Sequence, residues 1–295
     1  MRRRVIKQGA SSLTLSIPSD WAKRFNINPG DELEVDDKGN ELSIRTEKDF
    51  SSKTTTIDIS DISRAMMRNM INAVYIRGDD ELTILFDKPE QMDIVQDCID
   101  FNIGFAIVEQ SKHSCVVKDL SGTTNVEFDN ILRRIFYMIM SFAEEGLEII
   151  KKKESLNEFW KRDLAIDKYV YYSLRMLNKK GHPDFSKTHL YYDMVLLLEH
   201  LSDEYQRLYK NLKSTNLSPT TIKLFEETNL MFRDFFKLFY KFDKKKANDL
   251  VLKKREIRDK VLNFKKADDL LVEYYLRKTV EMIVTILQIQ LQLAI

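Results

Sequence analysis

Apolar and polar residues alternate along Leu13-Thr-Leu-Ser-Ile17, the period-two signature of a half-buried strand, and Pro18 ends the run. Ser19-Asp20 offers a helix N-cap, and Trp21-Ala-Lys-Arg-Phe25 reads as one or two helical turns. After the Pro29-Gly30 turn the alternation returns in Glu32-Leu-Glu-Val35 and Leu42-Ser-Ile44, joined by a hairpin turn at Lys38-Gly39-Asn40. Further on, Thr54-Thr-Thr-Ile-Asp-Ile-Ser60 is β-branched and strand-like, and Ile62 to Val74 spaces its apolar residues as a helix does. Glu81-Leu-Thr-Ile-Leu-Phe86 predicts a strand, and Pro89 opens a helix that runs to about Phe101. Phe105-Ala-Ile-Val-Glu109 and Ser114-Cys-Val-Val-Lys118 close as a hairpin. The order βαβαββ predicts a small two-layer sheet with both helices on one face. Beyond it six helical stretches are expected, over about 124–152, 156–179, 186–214, 218–242, 245–264 and 267–295. The third carries a heptad-like stripe of Leu190, Met194, Leu197, Leu198, Leu201, Tyr205 and Leu208. The six fall into two groups of three, the pattern of an internal duplication, and such helices pack as antiparallel bundles.

Composition sharpens this division. Six of the eight glycines lie in the first 122 residues and only Gly146 and Gly181 follow, so a turn-rich part precedes a helical one. The expected class is multidomain α+β, with domains at 1–46, 47–122 and 123–295. The first is too small to bury a sufficient core alone, and dimerisation is the economical remedy. Lys and Arg number 47 against 46 Asp and Glu, a net of +1, which excludes an overall basic nucleic-acid binder but not a basic patch. Two cysteines, Cys98 and Cys115, cannot build a disulfide framework and lack zinc-knuckle spacing. Cys98 sits among Ile94, Val95 and Ile99 and reads as core. MRRRVIKQG has no apolar run behind its charges, and no uncharged apolar stretch reaches ~18 residues. A cytoplasmic protein with no membrane insertion is expected.

Charge is sorted within the first segment. Residues 1–24 hold Arg2, Arg3, Arg4, Lys7, Lys23 and Arg24 against Asp20 alone, a net of +5, whereas residues 25–46 carry a net of −4. A basic β-ribbon has the shape and charge to lie along a DNA groove. Lys7-Gln-Gly-Ala-Ser-Ser-Leu-Thr-Leu-Ser-Ile-Pro18, Trp21-Ala and Ile27-Asn-Pro-Gly-Asp-Glu-Leu-Glu-Val35 resemble the AbrB/MazE/SpoVT swapped-hairpin family. The resemblance implies two chains that interlace their hairpins and bind double-stranded DNA through Arg2, Arg3, Arg4 and Lys7, with Lys23 or Arg24, and with Ser11 or Ser12 on a phosphate.

In the helical part, Asp163 and Asp167 form a DxxxD pair and Glu199 and Asp203 an ExxxD pair. The i, i+4 spacing puts both carboxylates of a pair on one helix face, about 6 Å apart. Two such helices side by side would offer four carboxylates to a hard cation or a polynuclear iron or zinc cluster. Asp163 and Asp167 fall within the apolar stripe of Trp160, Leu164, Val170, Tyr171 and Leu174. Glu199 and Asp203 point away from their leucine stripe, the pattern of a solvated face. Leu198-Glu-His-Leu-Ser-Asp203 and Lys161-Arg-Asp-Leu-Ala-Ile-Asp-Lys168 are similar to the motifs of the PhoU family. That family's fold is two three-helix repeats, and its carboxylate motifs hold multinuclear metal clusters. The second repeat departs from the pattern, with Arg255-Glu-Ile-Arg-Asp259 and Glu281-Met-Ile-Val-Thr285, so any metal is expected on the first repeat only.

A swapped-hairpin domain fused to a PhoU-like bundle resembles archaeal regulators of phosphate uptake. The leading expectation is a homodimeric transcription regulator whose bundle senses a signal or docks a phosphate-transport or signalling protein. The alternative is an adaptor that docks on a phosphate transporter and uses the first segment only to dimerise. The +5 strand favours the regulator. An enzyme is not expected: P-loop, nucleophile and Glu-x-x-His di-iron motifs are missing from the sequence.

Overall fold

In a computed structural model, residues 2–9, 11–37, 41–46, 53–121, 127–259 and 266–294 are described. The chain divides into two compact units, Met1–Ser52 and Lys53–Ile295. The predicted turn at Lys38-Gly39-Asn40 lies outside the described residues.

The first unit holds β1 (Ile6–Gln8), β2 (Ser12–Thr14), α1 (Ser19–Arg24), β3 (Glu34–Asp37) and β4 (Leu42–Arg45). β1 pairs antiparallel with β2, setting Lys7 opposite Leu13, and β3 pairs antiparallel with β4. Gly9, at φ +74°, turns the first hairpin in a conformation that a side chain would strain. The expected N-cap at Ser19-Asp20 is shifted: Pro18, at φ −58°, already caps α1, without a side-chain bond. Proline's fixed φ suits the helix entrance, so the helix begins at Ser19 itself.

Among its described residues this unit has no buried hydrophobic side chain. Val5, Ile6, Leu13, Leu15, Val35 and Leu42 are each more than half exposed. Covering such a residue is worth about 1.5–3 kcal/mol, so a second chain has much to gain by interlacing here. Static light scattering of the full chain is expected to give twice the 34.8 kDa chain mass, and a folded species at the single-chain mass would defeat this expectation.

The second unit opens with β5 (Thr54–Asp58), α2 (Arg64–Arg77), β6 (Glu81–Leu85), α3 (Gln91–Phe101), β7 (Phe105–Gln110) and β8 (Ser114–Asp119). The strands form one sheet in the order β5-β6-β8-β7, parallel between β5 and β6 and antiparallel elsewhere. Ser63 caps α2 through the Met66 amide at 3.3 Å, and Gly78 ends it in the left-handed region. α3 starts two residues after Pro89. The buried Gln91 side chain takes the Asp87 and Lys88 amides and donates to the Ile59 carbonyl at 2.9 Å. Cys98 and Cys115 are both buried in this module's core, and burial pushes each thiol up to about 11.

The helical part comprises α4 (Phe128–Lys151), α5 (Asp163–Lys180), α6 (Thr188–Asn211), α7 (Pro219–Tyr240), α8 (Lys244–Asp259) and α9 (Ala267–Ala294). α4, α5 and α6 pack on one another, as do α7, α8 and α9, and the triplets meet through α4 on α7 and α6 on α9. Ile135, Phe136, Leu201, Tyr205, Phe232 and Ile283 are fully or almost fully buried in their common core. α5 begins at Asp163, not near 156. Glu158 sits at φ +51° and Phe159–Arg162 form a short 3-10 turn ahead of it.

Sequence patterning separates 47–122 from 123–295, and each has its own apolar cluster. They nevertheless form one compact unit, because α2 packs on α5 around a buried cation. Arg175, only 2% exposed, donates to the Tyr75 and Asp79 carbonyls and to Asp119 Oδ2, each at 2.6 Å. Its guanidinium lies over the rings of Tyr75 and Phe105 at 4.8 and 4.9 Å. Burial opposes the charge on Asp119, but the bonds from Arg175 and Ser121 outweigh it and hold the carboxyl well below its ordinary range. Among the described residues no helix is long and apolar enough to cross a membrane.

Candidate nucleic-acid interface and carboxylate cluster

The basic residues of the first unit are presented, not buried. Arg2, Arg3 and Arg4 precede β1 outside regular secondary structure, and Lys7 lies within the strand; all four are exposed. None of them forms an ion pair among the described residues. Ser12 faces Gln8 across the hairpin, Ser11 lies in its tight loop, and both are exposed. Lys23 and Arg24 occupy the last turn of α1, where a cation also complements the helix dipole. Arg24 lies over the Phe25 ring at 5.9 Å. A two-stranded ribbon with four unpaired cations at its start can lie along a phosphate backbone without first breaking internal salt bridges.

The second candidate lies between α5 and α6, which pack side by side. Asp163 is fully buried, and its Oδ1 accepts from the Ser202 hydroxyl. Its Oδ2, and Oδ1 of Asp167, are buried without a hydrogen-bond partner. Glu199 and Asp203 do not form the solvated face that their own helix suggests: their side chains are only 19% and 20% exposed. The reason is tertiary, since α5 covers the side of α6 that bears them. Asp203 is engaged by Arg207 at 2.5 Å, and Glu199 lies 3.5 Å from His200. Leu164, counted in the apolar stripe of α5, is half exposed, and Ile166 is buried in its place.

All four carboxyls lie close enough to act on one another. Burial, then Asp163, Glu199 and Asp203, raises Asp167 well above the carboxylate range. Burial likewise raises Asp163, against the bond from Ser202, and lifts Glu199 to about 7. Tyr171 is pushed up to about 12 by burial and then by the same carboxyls. Carboxyls in this condition hold protons near neutrality unless a cation takes their place.

Carboxylate oxygens are the donors that hard cations prefer, and two of them are orphaned, so the chemistry fits a divalent ion. Among the described residues, however, no three His, Cys, Asp or Glu side chains are already gathered at coordination distances; binding would require the four to draw together. The α7–α9 triplet offers less. Glu281 is paired with Lys254, Asp259 with Arg258, and the Thr285 hydroxyl is spent on its own helix.

Sequence reasoning missed Ser202 and Arg207, the two partners that fix Asp163 and Asp203. The only signal was spacing: Arg207 follows Asp203 by four residues.

No curated protein and no solved structure matches the chain. A family model described as antidote-toxin recognition MazE, bacterial antitoxin, matches residues 6–51. That stretch takes in both hairpins and α1, with Lys7, Lys23 and Arg24 inside it and Arg2, Arg3 and Arg4 just before it, so the first unit is similar to a MazE/AbrB-type domain.

Proposed function

We propose that the protein is a homodimeric, DNA-binding transcription regulator of phosphate uptake or homeostasis, with the second unit as its sensor or partner-docking part. The observation that supports the DNA-binding reading is the exposed basic run Arg2, Arg3, Arg4 and Lys7, which leads directly into and overlaps, at Lys7, the stretch matched by the MazE model. The exposed apolar strands of the same unit support the homodimer. The phosphate assignment rests on the similarity of the α5 and α6 carboxylate motifs to those of the PhoU family, and on their convergence between the two helices. A genomic DNA-binding profile followed by gel shifts on the enriched sites tests both parts. Enrichment at phosphate-transport genes is the expected result. Enrichment elsewhere removes the phosphate assignment, and no enrichment favours the adaptor that docks on a phosphate transporter.

The same reading places a divalent cation, iron or zinc among them, on Asp163, Asp167, Glu199 and Asp203. Protein purified without chelator is expected to carry metal by elemental analysis and to lose most of it in Asp167→Ala. The Arg255 and Thr285 positions of the second repeat should not matter. Equal metal in wild type and Asp167→Ala, or none in either, removes the cation.

A further inference from the structure

A groove of about 700 Å³ runs between α4 and α5, outside both sites above. Its volume lies in the range of small-molecule sites. Arg133, Arg134 and Arg162 line it, no acidic side chain does, and Met138, Phe142 and Ile166 supply an apolar floor. Arg162 is paired with Glu145. Arg133 and Arg134 form no ion pair among the described residues, not even with Asp129 one turn before. They are held by aromatic faces instead: Arg133 lies 4.2 Å from the Tyr240 ring centroid and Arg134 lies 4.4 Å from that of Tyr169. Arg133 also hydrogen-bonds the Tyr240 hydroxyl, but a guanidinium stacked through its face has five in-plane N–H donors, and those remaining match a phosphate. Three residues on from Arg134, the Tyr137 ring also lines the groove, 53% exposed and backed by Phe236 at 5.1 Å. An exposed ring, two restrained and unneutralised cations and an apolar floor are thus gathered on one helix face.

We propose that this groove binds a nucleotide, its base against Tyr137 and its phosphates on Arg133 and Arg134. A bare polyanion would leave the ring and the floor uncovered. An apolar ligand would leave two guanidinium groups without an anion. A phosphorylated aromatic molecule satisfies both. This goes beyond the DNA-binding reading, and nucleotide affinity is measured without DNA, so either reading can fail while the other holds.

The test is calorimetric titration of the full chain with ATP, adenosine and inorganic triphosphate at about 150 mM salt. ATP is expected to bind at least about tenfold more tightly than either fragment. Arg134→Ala should weaken ATP by about tenfold or more, the loss of one charge-assisted contact. Tyr137→Ala should weaken ATP while leaving triphosphate unchanged. Tyr137 is more than half exposed, so this variant keeps the fold and carries the test should Arg134→Ala not fold. The double replacement of Arg3 and Arg4 should leave ATP binding as in wild type, separating this groove from the basic strand. No binding of ATP, triphosphate binding as tight as ATP, or unchanged ATP affinity in both groove variants overturns the proposal.

Discussion

Replacing Arg3 and Arg4 together by alanine is expected to weaken DNA binding and flatten its dependence on salt. Arg2, Arg3, Arg4 and Lys7 are exposed and form no ion pair among the described residues, so a dimer presents about eight phosphate contacts, each contributing about −0.9 to the slope of log affinity on log salt. Between about 50 and 200 mM salt the wild-type affinity then falls on the order of 10³ to 10⁵-fold. The double variant removes half of those contacts, and its fall over the same range shrinks to about 10². Fold and dimer mass should not change, because exposed arginines without partners add little to stability. Fluorescence anisotropy on an enriched promoter at several salt concentrations reads both effects. A variant that binds as wild type with the same slope shows that the basic strand is not the DNA surface. The first unit would then serve dimerisation alone, as in the adaptor reading.

Much of the architecture was legible because it is local. Period-two alternation located β2, β3 and β4 to within a few residues, although β2 stops at Thr14 rather than Ile17 and β1 carries no such alternation, and the expected helix over about 218–242 matches α7. Charge sorting along 1–24 pointed to residues that are indeed exposed. Other features were not legible, for three physical reasons. Positive φ at non-glycine residues such as Lys153 and Glu158 leaves no mark in the sequence, so periodicity starts α5 too early. Helical periodicity reports one helix's own apolar stripe, not what its neighbour covers. Glu199 and Asp203 therefore read as solvated, although α5 covers them. Finally, Arg175 makes sense only through Tyr75, Asp79 and Asp119, which lie far away in the chain. No spacing rule pairs residues across such a distance, and the union of the sheet module with the bundle was missed with it. The nucleotide groove shares that origin, since Arg133, Arg134 and Tyr137 gain their aromatic backing from α5 and α7.

The carboxylate cluster should make the metal-free protein less stable as pH rises. Asp167 is faced by Asp163 and Tyr171 on α5 and by Glu199 and Asp203 on α6, with Arg207 as the near cation. In the unfolded chain these carboxyls release their protons near pH 4. In the folded chain burial and mutual repulsion raise Asp163 and Asp167 well above that, and Glu199 to about 7. Between about pH 4 and 7 the native state therefore holds more protons than the unfolded state, and its stability must fall with rising pH. The contribution is fully present below about pH 4 and is lost as pH climbs through the folded values. Asp167→Asn removes one titrating group and relieves its neighbours. With chelator present, the variant should match wild type near pH 4 and exceed it near pH 8 by more than about 1 kcal/mol, because each tenfold gain in proton affinity on folding is worth about 1.4 kcal/mol. Urea unfolding at the two pH values measures the difference directly, and other titrating groups cancel in the comparison. Saturating zinc should reverse the order at pH 8, because a bound cation turns ionised carboxyls from a cost into ligands. If the two proteins show parallel stability profiles in chelator, the four carboxyls do not share one buried environment, and the cation assigned to them falls with it.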